Sequence, residues 1–151
     1  MQITARADYA VRALAELAAR NGESATRTEL AGAQTIPGKF LEAILADLKK
    51  AGLVVAARGS GGGYRLAQDP ARITIADVVR AVDGPLAAVR GVAPEAVSYT
   101  GVAEPLRDVW IATRASMRLV LEATTIGALV RRELPAEVSG LLQRDGAYER
   151  R

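Results

Sequence analysis

Apolar residues recur at helical spacing through the first fifty positions and predict three successive helices over 3–19, 26–34 and 37–51. Thr26 and Glu29 have the spacing of a capping box at the start of the second helix. A short helix, a tight turn and a longer helix form the order of a helix-turn-helix. The stripe that the third helix is expected to bury consists of Leu41, Ile44, Leu45 and Leu48.

Four glycines within five positions then interrupt the apolar pattern, in the string GSGGGYRLA that begins at Gly59. The flanking segments LVVAAR and YRLA have the alternation of short strands, so a β-hairpin with a glycine tip is predicted. A dinucleotide-binding fingerprint fails because its sixth position is Tyr64 and a strand follows; the Gly-Lys-Ser/Thr of a Walker motif never occurs. Three helices followed by a hairpin indicate a winged helix, a mainly α fold with a small β element.

The second half contains one short and one long helical pattern. Thr74 and Asp77 repeat the capping-box spacing and predict a helix that ends at Gly84. The segment 89–103 has no clear period and is expected to be an ordered loop or a loop with one helical turn. The segment 104–123 is expected to be one long helix. The apolar stripe of that long helix has coiled-coil-like spacing and consists of Leu106, Val109, Trp110, Thr113, Met117, Val120 and Leu121.

This apolar stripe lies outside the winged unit, so another surface is expected to pack against it. Packing back on the same chain is one explanation, and we prefer pairing with the same helix of a second subunit, which gives a homodimer. The predicted division is a winged helix-turn-helix DNA-binding domain over 1–85, a connecting loop over 86–103, dimerisation helices over 104–143 and a polar tail over 144–151.

Composition narrows the function classes. The 151 residues include no cysteine and no histidine, which removes thiolate and imidazole chemistry and most strong ligands for zinc or iron. We therefore expect no enzyme, no metal and no cofactor; a carboxylate-based hydrolase is a distant third hypothesis. The net charge of +3 is too small to identify a polyanion-binding protein alone. No membrane segment or signal peptide is seen, so a cytoplasmic protein is expected.

The outward face of the third helix and the hairpin carry the candidate DNA contacts. Lys39 could reach guanine or phosphate, and Glu42 could accept from a cytosine amino group, although an ordinary solvated position stays open for Glu42 and Lys49. Arg58 at the base of the wing suits a narrow minor groove. The predicted DNA-binding residues are Thr4, Tyr9, Thr26, Thr28, Gly38, Lys39, Phe40, Glu42, Lys49, Arg58, Gly59, Ser60, Gly61 and Gly62, with Arg6 and Arg12 as further phosphate candidates.

Three strings, MQITARADYAVRALAELA, FLEAILADLKKAGLVVAARGSGGGYRLA and ITIADVVRAVDGPL, resemble the BadM/IscR/NsrR/CymR-type family of bacterial winged-helix transcriptional regulators. The resemblance implies a homodimer that binds double-stranded DNA at an imperfect palindrome. It carries recognition-helix and wing contacts onto Lys39, Phe40, Glu42, Lys49, Arg58, Gly59 and Ser60.

One departure from the family concerns iron. Its sensing members hold an iron–sulfur cluster through three cysteines in the loop before the dimer helix, and here the loop 89–103 has none. A cluster-free repressor is therefore expected. Its signal is left open among a small molecule near Trp110 and Tyr99, a partner protein, or its own abundance. The alternative function is a winged-helix protein-interaction module that regulates an enzyme or another regulator without reading DNA.

Overall fold

The computed structural model describes residues 2–59 and 62–149, which form helices and one two-stranded antiparallel hairpin. The predicted mainly α fold with a small β-hairpin is confirmed. None of the described helices is both long enough and apolar enough to cross a membrane. The elements are α1 (Ala5–Ala19), α2 (Arg27–Gln34), α3 (Gly38–Lys50), β1 (Val54–Ala57), β2 (Gly63–Leu66), α4 (Ile75–Asp83), α5 (Leu106–Leu121), α6 (Ile126–Arg131) and α7 (Ala136–Leu142).

Threonine caps fix where α1, α2 and α4 begin. The Thr26 hydroxyl accepts from the Glu29 amide at 3.2 Å, and the Glu29 carboxylate accepts from the Thr26 amide at 2.7 Å, so the predicted capping box is present. That backbone hydrogen bond is the main reason why the pKa of Glu29 lies below its usual value. Thr74 and Asp77 form the second predicted capping box at α4. Because the caps satisfy otherwise unpaired amides, the local sequence sets these helix starts.

The core lies between α1, α2, α3 and α4, and it also receives a residue from α6. Its largest fully buried side chains are aliphatic, and Ile126 at the start of α6 is among them. The Ile126 amide donates to the Ile73 carbonyl at 2.8 Å, and the Ile75 amide donates to the Thr124 carbonyl at 2.9 Å. These hydrogen bonds attach the chain after α5 to the start of α4. The segment predicted for dimerisation thus contributes one residue to the core of the winged unit.

The hairpin is closed on both sides of β2. Ala57 pairs with Gly63 across the wing, and on the other edge Tyr64 exchanges backbone hydrogen bonds of 2.9 and 2.8 Å with Ala25. Gly63 has a φ of +143°, and a Cβ there would lie 2.4 Å from the Ala25 carbonyl oxygen. A side chain cannot fit at that distance, so glycine is required at 63 by the fold itself. Gly62, by contrast, has no left-handed φ.

Loop 86–103 and α5 are built differently from the winged unit. The loop contains two single 3₁₀ turns, at Pro94–Ala96 and Gly101–Ala103, where an ordered loop was predicted. The indole Nε1 of Trp110 on α5 donates to the Tyr99 hydroxyl at 3.1 Å, which ties the loop to the helix. No residue of the 16-residue helix α5 is buried. The long helix therefore exists as predicted, without a complete cover inside the described chain.

Candidate nucleic-acid interface

A three-residue turn, 35–37, positions α3 against α2. Thr35 ends α2 in the left-handed conformation with a φ of +52°, and Ile36 is buried behind the turn. Pro37 precedes the first residue of α3 as its N-cap. The four predicted stripe residues Leu41, Ile44, Leu45 and Leu48 are all at most 1% exposed. Their burial turns the opposite side of α3 outward, as a recognition helix requires.

The outward side of α3 is the face predicted from the sequence. Lys39, Glu42 and Lys49 are all exposed, with the small residue Ala46 between them. Glu42 accepts from Nη1 of Arg27 on α2 at 2.6 Å. Among the described residues, Lys39 and Lys49 form no ion pair with a carboxylate. The face therefore presents two unneutralised cations and one carboxylate that a neighbouring arginine orients.

Arg27 belongs to this face but is not among the residues predicted from the sequence. It lies fifteen positions before Glu42 and is the first residue of α2, where nothing in the local pattern distinguishes it from a solvated arginine. Only the packing of α2 against α3 brings the two side chains together. Predicting this pair from the sequence would require knowing how α2 and α3 cross, in addition to the spacing of the two residues.

An aromatic contact extends this face toward α1. Phe40, which is 52% exposed, meets the Tyr9 ring edge-on with ring centroids 5.9 Å apart. The Arg12 guanidinium lies 5.5 Å from the centroid of the same Tyr9 ring, donates to the Gln34 carbonyl and pairs with Asp8. Phe40 is thus an exposed apolar side chain whose ring packs against Tyr9, whereas the Arg12 guanidinium already has partners within the protein.

Several predicted phosphate contacts also have structural partners. The Thr4 hydroxyl caps α1 and donates to Asp83 at 2.5 Å, and Arg6 forms an ion pair with Asp47. Thr26 is the α2 cap described above. Thr28 and Gly38 are exposed in the first turns of α2 and α3. Thr4, Arg6 and Thr26 therefore serve the fold whether or not they also meet a ligand.

The wing supplies the third part of the face. Arg58 directly follows β1 and is exposed, and it forms no ion pair within the described part of the chain. Gly59 is exposed with a φ of +117°, and the Gly62 amide donates to the Gly59 carbonyl at 3.1 Å, which closes the tip. The predicted contacts Ser60 and Gly61 lie outside the described residues.

On α5, the predicted dimerisation stripe is only partly covered. Val109 of the stripe is 51% exposed. Leu119, which is not part of the stripe and lies on the opposite side of the helix by its spacing, is 53% exposed. The other predicted residues, Leu106, Trp110, Thr113, Met117, Val120 and Leu121, are half-buried. The helix keeps apolar surface available for a further partner.

The loop before α5 carries few side chains that could ligate a metal. Its ionisable side chains over 86–103 are Arg90, Glu95 and Tyr99, and the whole sequence has neither cysteine nor histidine. Across residues 2–59 and 62–149, no three acidic side chains come together in a way that could hold a metal ion. This donor set does not fit an iron–sulfur cluster, whose ligands are thiolates with occasional imidazoles.

Comparisons with known proteins place this architecture in a family. The profile of the Rrf2 family, described as iron-dependent transcriptional regulators, matches residues 3–132. The HTH-type transcriptional regulator Rv1287 of Mycobacterium tuberculosis is 46% identical over 142 residues, which is 93% of this chain and 88% of that protein. CymR of Bacillus subtilis is 33% identical over 128 residues, covering 83% of this chain and 87% of CymR.

Solved structures agree with the sequence comparison. The structure of B. subtilis CymR, described as the global cysteine regulator, superposes with a TM-score of 0.72 at 29% identity, covering 87% of this chain and 98% of that one. The T. potens IscR structure gives a TM-score of 0.70 at 26% identity, covering 87% and 88%. The resemblance noted in the sequence and the expectation of a regulator rather than an enzyme are both confirmed. The chain belongs to the Rrf2 family of winged-helix, DNA-binding transcriptional regulators.

Proposed function

We propose that this protein is a homodimeric repressor that binds an imperfect palindrome, with α3 in the major groove and the wing in the adjoining minor groove. The observation that carries the proposal is the outward face of α3, fixed by four buried leucine and isoleucine side chains on the opposite side. A two-fold dimer would place two such faces on half-sites about one helical turn, ~34 Å, or slightly more apart.

The chemistry of the face supports base contacts as well as phosphate contacts. Lysine donors suit guanine acceptors or phosphates, and a carboxylate such as Glu42 suits the amino group of cytosine. Arg27 holds that carboxylate at 2.6 Å, so Glu42 is oriented before DNA arrives. Arg58 suits a narrow minor groove, whose negative potential attracts arginine. Phe40 offers an apolar surface for thymine methyl groups or deoxyribose.

A random-sequence selection with the purified full chain tests the DNA-binding proposal. We expect an enriched inverted repeat, and affinity for it that falls steeply with salt because lysine and arginine contacts release counterions. Absence of any enriched motif would overturn the proposal and would favour a winged-helix protein-interaction module. Repression is tested separately by placing the recovered repeat upstream of a reporter gene, whose expression should fall when the chain is present.

The dimer proposal rests on α5. A 16-residue amphipathic helix with no buried residue leaves apolar area that a second copy of the same helix would cover. Met117→Asp places a charge in the proposed interface and should convert the dimer to a monomer in sedimentation equilibrium. The matched control is Ala115→Asp, an exposed position on the other side of α5, which should leave the dimer intact. A wild-type monomer at micromolar concentration would contradict the proposal.

We include the absence of an iron–sulfur cluster in the proposal, because no thiolate or imidazole exists in this chain to ligate one. Protein purified without oxygen should contain no stoichiometric iron or acid-labile sulfide. Its affinity for the selected duplex should be unchanged by an iron chelator. Stoichiometric iron that accompanies DNA-binding activity would overturn this part.

A further inference from the structure

A cavity of about 330 Å³ lies between the end of α4, the loop that follows it and the middle of α5. Small aliphatic side chains of the loop, including Leu86 and Val92, form the apolar part of its lining. The charged part consists of Arg80 on α4, Arg114 and Arg118 on α5, and Glu95 on the loop. Its size is at the lower end for small-molecule sites, which suits a metabolite smaller than a nucleotide.

The charges around the cavity favour an anion. Its lining contains three guanidinium groups and a single carboxylate, that of Glu95. Arg114 uses Nη1 to hold Glu95 at 2.7 Å, and Arg118 uses Nε to hold Glu122 at 3.0 Å. A guanidinium carries five N–H donors in a planar fork that matches a carboxylate, so both arginines keep donors beyond those two bonds.

The carboxylates near these arginines are themselves held in the charged form. Arg118, and then Arg80, lower the pKa of Glu122, which stands outside the lining. The Glu95 backbone amide, and then Arg114, lower the pKa of Glu95. Arg80 pairs with two carboxylates, those of Glu122 and, at 3.8 Å, Asp77, whereas Arg114 and Arg118 each pair with one. A ligand would therefore compete for Arg114 and Arg118 more readily than for Arg80.

We propose that this cavity binds a small aliphatic carboxylate, with the acid group on Arg114 and Arg118 and the apolar body against Leu86 and Val92. The site also couples to the rest of the molecule. Glu122 accepts from both Arg80 and Arg118, so one carboxylate oxygen joins α4 of the winged unit to α5. A ligand on Arg118 changes that tie and with it the orientation of the winged unit on α5. This regulatory consequence rests on the proposed DNA-binding function.

Isothermal titration calorimetry tests the site without DNA. The 151-residue chain is titrated with isovalerate and succinate, with neutral isovaleramide and with sodium sulfate. We expect a saturable heat change with one or both carboxylates that the amide and sulfate do not reproduce. No saturable heat change with either carboxylate, an equal response to the amide, or full reproduction by sulfate would overturn the proposal.

Two variants and one matched control locate the binding. Arg114→Gln and Arg118→Gln should each weaken carboxylate binding about tenfold or more, because each removes a charged hydrogen-bond donor. Arg131 also forms a 2.7 Å ion pair with a glutamate, at the end of α6 and outside the cavity lining. Arg131→Gln should bind like the wild type. Equal affinity in all four proteins would place the ligand elsewhere, with circular dichroism as the check that each variant folds.

The regulatory consequence has its own readout. Saturating carboxylate should change the affinity for the selected duplex about fivefold or more in the wild type and leave it unchanged in Arg118→Gln. The duplex selection itself is carried out without carboxylate, so failure to bind DNA and failure to bind the ligand are separate results. An unchanged duplex affinity with a ligand-saturated wild type would overturn the regulatory consequence.

Discussion

Helices α3 and α5 are both amphipathic and of similar length, but only α3 has its apolar face buried within the chain. Four residues of the 13-residue helix α3 are buried by α1, α2, α4 and the hairpin, whereas no residue of the 16-residue helix α5 is buried. Because the apolar side of α3 is buried, only its opposite side is exposed, and that side is polar and cationic. Helix α5 keeps exposed apolar surface, which in the proposed function a second copy of the chain covers. In that proposal the same periodicity serves DNA recognition in α3 and association in α5.

The largest effect that should separate the two helices is on stability. Leu45 on α3 is fully buried, so Leu45→Ala should lower the free energy of unfolding by about 2–5 kcal/mol through lost burial and a residual cavity. Leu119 on α5 is 53% exposed, and Leu119→Ala should cost about 0.5 kcal/mol or less. Urea unfolding of both variants at one protein concentration measures the difference. Equal losses would show that α5 is as well packed as α3.

Next in size is the closure of the hairpin on the winged unit. Gly63→Ala places a Cβ against the Ala25 carbonyl and should destabilise the protein by more than about 1 kcal/mol. Gly32 lies inside α2 with open space around its Cβ direction, so Gly32→Ala should stabilise by up to about 1 kcal/mol. Thermal unfolding should therefore shift in opposite directions. A harmless Gly63→Ala would mean that the contact with Ala25 does not hold in solution.

Much of the winged unit could be predicted because its signals are local. The capping boxes at Thr26 and Thr74 and the leucine stripe of α3 each depend on residues three or four positions apart, and the structure contains all of them. Spacing of this kind carries information about a single helix and not about its contacts with other elements. It identifies the outward face of α3 because burial of one side leaves only the other.

Contacts between elements could not be predicted in the same way. Three contacts show this: the pair Arg27–Glu42, the bridge between Ala25 and Tyr64, and the hydrogen bond of the buried Ile126 to Ile73 join positions 15, 39 and 53 residues apart. Their formation depends on how helices cross, which periodicity does not encode. For α5 the sequence identified an apolar stripe but not its neighbour.

A third and smaller effect concerns the two kinds of cation on the proposed DNA face. Arg58→Ala should cost about 1–3 kcal/mol of affinity and lose discrimination at particular base pairs, since it removes the proposed groove contact. Lys49→Ala should weaken all duplexes alike and reduce the salt dependence by about one counterion, if Lys49 meets only phosphate. Competition binding on the selected duplex and on single-base variants separates the two patterns. A footprint unchanged by both substitutions would remove these assignments.

The smallest effect lies at the junction between the two regions, where Glu122 joins α4 to α5. Arg118, followed by Arg80, lowers the pKa of Glu122 below 4.5, so its stabilising contribution is present above pH 4.5 and is lost as the pH falls through the lowered value. Glu122→Gln should therefore melt slightly below the wild type at pH 7, and the gap should close at lower pH. Because these side chains are exposed, 1 M salt should also narrow this difference in melting temperature.

The control is Glu133→Gln, which removes the exposed ion pair with Arg131 within a single region. If Glu122→Gln melts with the wild type at pH 7 and low salt, the ion bridge does not hold α4 to α5, and the orientation of α5 depends on its other contacts, such as the hydrogen bond between Ile75 and Thr124.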